Sequence, residues 1–120
     1  MGKISFDKSL KFAIRIVKLA KFLQKEKKEF IFSKQILRSG TSIGANLSEA
    51  EYAQSKADFI NKNSIAIKEC AETRYWIELL YEGDYISEKE YKSMKDDCEE
   101  LIKILTAIIK KAKENRKTNE

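Results

Sequence analysis

From Tyr91 to Ala112 an apolar residue recurs at alternating intervals of three and four: Tyr91, Met94, Cys98, Leu101, Leu105, Ile108 and Ala112, without a miss. That interval marks the seam of a helix that buries one edge against neighbouring helices. It excludes a strand, whose side chains alternate every two residues. An edge this long cannot stay in water, so other helices must cover it. The rest of the chain can supply them. It has no proline and only four glycines in 120 residues, and Lys, Glu, Ile, Ala and Leu dominate. The expected fold is all-α, an antiparallel up-down four-helix bundle in one domain over residues 1–120. The expected helices cover about 5–25, 34–51, 56–82 and 88–113, with a polar, basic tail at 114–120 that frays.

Helix boundaries follow from local signals. Ser87 with Glu90 forms a capping box for the fourth helix, and Ser55 with Asp58 resembles one for the third. Ser33 is the expected N-cap of the second, with Phe32 as its staple and Phe30, Ile31 and Phe32 tucked beneath that helix. Gly83 reads as the residue just past the end of the third. The first helix carries two apolar lines: Phe6, Leu10, Ala13, Val17, Ala20, and Phe12, Ile16, Leu19, Leu23. Either both form one wide buried face, or one faces the bundle and the other a second copy of the chain. Ile102, Ile104 and Ile109 widen the fourth helix's apolar face in the same way.

The second helix is unusual. Between Leu37 and Glu51 most residues are small, and Gly40 and Gly44 each cost a helix roughly 1 kcal/mol relative to alanine. Tight packing against a neighbour is the expected compensation. Gly40, Ser42, Gly44, Asn46 and Glu49 therefore read as a structural motif, with Asn46 and Glu49 holding the helix in register. Glu69 and Glu72 are an acidic pair whose expected partners are Arg74, Arg38 or Asn46.

The strings QILRSGT and SIGANLSEA also carry a family resemblance. Gln35, Leu37, Arg38, Ser42, Ile43, Ala45, Asn46 and Glu49 fit the pattern of the four-helix bundle proteins encoded by intervening sequences in bacterial 23S rRNA genes. Those proteins are themselves similar to accessory proteins of diversity-generating retroelements. Gly44 stands where the pattern has proline, and Ala50 where it has glycine. Ser55, Phe59, Ala66, Glu69, Glu72, Leu79 and Leu80 continue the match more loosely. The resemblance implies a homopentameric, barrel-like and basic assembly, and, for the retroelement relatives, binding of nucleic acid and of a reverse transcriptase.

Several function classes are disfavoured by what is missing. There is no histidine, which removes Ser-His-Asp and Cys-His catalysis and the commonest zinc sites. No glycine-rich phosphate loop is present. Cys70 and Cys98 are expected as reduced core residues. A converging Asn46, Glu49, Glu69 and Glu72 could hold a divalent metal, but a hydrogen-bond network is the plainer reading, so no metal, no cofactor and no enzymatic activity are expected. No run of about 18 apolar residues would span a membrane, and no secretory signal opens the chain, so a cytoplasmic location is expected.

Charge points to a partner. Residues 1–28 hold nine Lys/Arg against Asp7 and Glu26, a net +7, while the whole chain is +5, leaving −2 for the remainder. Lys8, Lys11, Arg15, Lys18 and Lys25 share one side of the first helix. The stripe is either a solvated lysine face or a surface that contacts the phosphates of RNA or DNA. A scaffold that presents its surplus apolar lines to a protein partner fits the same sequence.

Overall fold

The computed structural model describes the backbone of residues 2–119 and the side chains of residues 3–115. Arg116 and Lys117, expected in the basic tail, and Glu120 lie outside the described side chains. Four helices follow one another: α1 (Gly2–Glu26), α2 (Phe32–Ala50), α3 (Lys56–Glu82) and α4 (Glu88–Asn119). The rod they form measures 54 × 22 × 19 Å. Antiparallel pairing is visible in the contacts. Gly40 meets Ile16 while Gly44 meets Ser9, and Ser39 meets Thr73 while Glu49 meets Lys62. Each helix packs closely on its sequence neighbour, but α1 and α4 touch sparsely.

The core is the seam and what covers it. Met94, Cys98, Leu101 and Leu105 are fully enclosed by Phe12, Ile16 and Leu23 of α1, Ile36 and Ile43 of α2, and Cys70, Ile77 and Leu80 of α3. Burying one such large side chain is worth about 1.5–3 kcal/mol. Of the two α1 lines, Phe12, Ile16, Leu19 and Leu23 go inside. Ala20 is also buried and Phe6 half-buried, but Leu10 remains 49% exposed. Ile102 and Ile104 pack partly against the core and so widen it.

Four local expectations are corrected. Ser33 does not cap α2; it lies inside the helix, buried, with its hydroxyl donating to the Glu29 carbonyl. Glu29 is the cap instead. Its carboxylate accepts from the backbone N–H of Ile31, Phe32 and Ser33 at 2.8–3.1 Å. A carboxylate serves three orphan donors and the positive helix end, where a serine would serve one. Ile31 and Phe30 therefore stand out in solvent rather than tucking under, and only Phe32 packs inward, stacked on Trp76. At the end of α3, Gly83 follows the last helical residue as expected but as the C-cap, at φ −85°, and the C′ position with its left-handed conformation falls to Asp84, at φ 66°. Lastly, α4 stays helical through Asn119, beyond the expected end. Ser55 and Ser87 do cap their helices, accepting from the N–H of Asp58 and Glu90.

Candidate nucleic-acid interface

The basic stripe exists as a face of α1, but it is split. Lys8 donates to Glu100 at 2.8 Å, and Arg15 donates to Asp97 at 2.6 Å with Glu90 at 4.0 Å. These pairs tie α1 to α4 along the edge where the two helices pack least. The hydrogen bond to Glu100 also raises the Lys8 pKa above its ordinary value, so it stays charged. Lys11, Lys18 and Lys25 are exposed and make no ion pair among the described residues. They recur every seven residues, about 10 Å apart along the helix. Of the five cations in the stripe, three are thus without a carboxylate partner among the described residues. The counter-charges were readable: Glu90, Asp97 and Glu100, spaced seven and three, form an acidic line on α4. Only the tertiary neighbourhood places that line beside the stripe.

Phe22 belongs to neither apolar line of α1. It lies on the same face as the lysines, four residues after Lys18 and three before Lys25, and is 42% exposed. Its ring lies 5.9 Å from Lys27 Nζ, a cation–π contact. Beside it a cleft of about 830 Å³ opens between the C-terminal half of α1 and the α3–α4 turn, with Tyr85 and Ile86 on its far side.

The small-residue motif lies elsewhere, against α1. A Cβ on Gly40 would meet Ile16 Cγ1 at 2.7 Å, and one on Gly44 would meet Ser9 Oγ at 3.1 Å. The missing side chains let α2 approach α1 closely. Ser42 and Asn46 turn back to their own helix, donating to the carbonyls of Ser39 and Ser42. Glu49 is exposed and pairs with Lys62 at 3.0 Å.

The four polar residues considered for a metal do not converge. Glu69 and Glu72 gather instead around Arg38, which lies 3.6 Å from Glu69 and hydrogen-bonds Glu72. Glu72 also accepts from Trp76 Nε1 at 2.9 Å. That bond, followed by Arg38, holds its carboxyl below the usual glutamate pKa. One oxygen of Glu69, Oε2, is buried without a hydrogen bond. No group of three or more metal-binding side chains occurs among the described residues. Cys70 and Cys98 are both free and buried. Burial pushes the Cys70 thiol up to about 12 and Cys98 higher still, so neither is a nucleophile near neutral pH. No helix among the described residues is long and apolar enough to cross a membrane.

Comparison with known proteins adds a family. Residues 4–107 match the model of the 23S rRNA-intervening sequence protein. A crystal structure of a protein with unknown function from the S23 ribosomal protein family, from Bacteroides thetaiotaomicron VPI-5482, is 60% identical in sequence. The alignment covers 91% of this chain and 97% of that one, with a TM-score of 0.90. No curated protein is significantly similar to the chain.

Proposed function

This chain belongs to the 23S rRNA-intervening sequence protein family, and from that premise we propose that it is a non-catalytic, self-associating bundle of the cytoplasm that binds RNA or DNA weakly through α1. The observation that carries the reading is the exposed row of Lys11, Lys18 and Lys25, unpaired among the described residues beside the ion-paired Lys8 and Arg15. Lysine ammonium groups meet phosphates as point charges and read no base edge, so binding is salt-sensitive and indifferent to sequence. Three contacts per chain are few. Self-association repeats the row, and multivalency then raises the affinity. Leu10 and Ile14, 49% and 48% exposed on the neighbouring face of α1, are the surface for a second copy. A homopentamer is the assembly that the family resemblance implies.

A protein scaffold is the second reading, and it rests on the α1–α2 turn. Ile31 is 71% exposed there beside the half-exposed Phe30, an apolar tip that faces solvent. In the retroelement relatives such a partner would be a reverse transcriptase.

Size-exclusion chromatography with light scattering, run beside RNA binding at low and moderate salt, separates the readings. A discrete oligomer that binds RNA only at low salt supports the nucleic-acid reading. An oligomer without affinity at any salt transfers the assignment to the scaffold. A monomer overturns self-association.

A further inference from the structure

We infer that the cleft beside Phe22 seats an unstacked base of a single-stranded nucleic acid, with the Phe22 ring as stacking platform and Lys18 and Lys27 on the flanking phosphates. This rests on the nucleic-acid reading above and narrows it from any polyanion to single strands.

Three observations lead there. Phe22 is a large aromatic side chain standing among lysines on the outward face of α1, where the bundle core gains little from it. Lys27 Nζ stands over its ring at 5.9 Å, so one π-face is turned to the cleft's basic rim, where a stacking base would take the ammonium's place and the lysine would move to a flanking phosphate. The cleft itself, about 830 Å³, falls within the range of about 300–1,000 Å³ typical of small-molecule sites and exceeds what a single base needs.

Charge alone would not select this place. Arg15 at the cleft wall is engaged by Asp97, and Asp84 and Glu90 line the same space. A bare phosphate therefore gains modestly from Lys18 and Lys27. The aromatic surface is what distinguishes the cleft from the rest of the lysine row. Alternating aromatic platforms and cations are how proteins hold single strands without reading sequence. A duplex keeps its base faces inside the stack and offers only its backbone, so it can use the lysines but not Phe22.

The test is fluorescence anisotropy at low salt, with a labelled adenine-rich single strand of about 12 nucleotides and the duplex of the same sequence. Phe22→Ala is expected to weaken single-strand binding about tenfold and to leave duplex binding unchanged. Phe22→Leu, which keeps apolar bulk but has no π-face, should behave alike and controls for folding. Lys18→Glu should weaken both ligands. If both Phe22 variants bind the single strand as wild type does while Lys18→Glu still weakens it, the inference falls and the electrostatic reading stands. If wild type binds neither ligand, both fall. If free AMP displaces the single strand at a concentration matching the strand's own affinity, the cleft is a small-molecule site and the inference is overturned.

Discussion

Gly40 and Gly44 look equivalent in the sequence, and the structure separates them. A Cβ on Gly40 would lie 2.7–3.2 Å from three atoms of Ile16, which is fully buried and has no room to retreat. Overpacking costs about 1–3 kcal/mol, of which alanine's better helix propensity returns about 1, so Gly40→Ala should destabilise by up to about 2 kcal/mol. A Cβ on Gly44 meets chiefly the Ser9 hydroxyl at 3.1 Å. The alanine gains about 1 kcal/mol of helix propensity, which offsets that contact, so Gly44→Ala should remain within about 1 kcal/mol of wild type. Urea unfolding of both variants checks the contrast, and equal losses would contradict it. The need for smallness was legible from composition alone. Which glycine bears the close approach was not, because that depends on how α1 slides along α2. Phe22 escaped for a related reason. Apolar lines at helical spacing claimed its neighbours Leu19 and Leu23; its spacing from Lys18 and Lys25 placed it on the lysine face, but the cleft beside it is formed by the α3–α4 turn, which no local window contains.

At the scale of the helices, what is local in sequence was legible and what is lateral was not. Ser55 and Ser87 cap α3 and α4 because a hydroxyl reaches an N–H three residues on, whatever the surroundings. The start of α2 defeats that logic. Glu29 reaches forward from the turn to three N–H groups, and the serine expected to cap is drawn inside. Glu29→Ala should cost about 1–2 kcal/mol, whereas Ser33→Ala should cost less, read by thermal melts. Between α2 and α3 the Arg38–Glu72–Trp76 contact adds a pH dependence. The Glu72 pKa in the folded state lies below its ordinary 4.5. Its stabilisation is thus fully present above that value and is lost as pH falls through the folded value. Urea midpoints between about pH 3 and 6 should decline on the acid side, less steeply in Glu72→Gln. Identical pH profiles would show that the contact contributes nothing. Between α1 and α4 the ion pairs of Lys8 and Arg15 cross helices at opposite ends of the sequence, and no window along the chain contains both partners.

For the whole molecule, the seam of α4 and the absence of proline made the bundle legible, and the family match agrees with it. The basic face proposed to bind nucleic acid was legible as a charge asymmetry on α1, but its ion pairing was not: the acidic line on α4 engages Lys8 and Arg15 and leaves Lys11, Lys18 and Lys25 unpaired among the described residues. The apolar Leu10 and Ile14 are exposed on the same helix, with Ile14 three residues after Lys11 and four before Lys18, so a copy seated on them would lie directly beside the lysine row. The proposed nucleic-acid binding depends on those three lysines meeting phosphates. The most direct measurement is the salt dependence of single-stranded RNA affinity for wild type and for Lys11→Glu/Lys18→Glu/Lys25→Glu, followed on a log–log scale. Losing three phosphate contacts per bound chain should flatten the slope by about 2, at roughly 0.7 per contact, and weaken binding most at low salt. An unchanged slope and affinity in the triple variant would contradict the assignment of the nucleic-acid surface to α1.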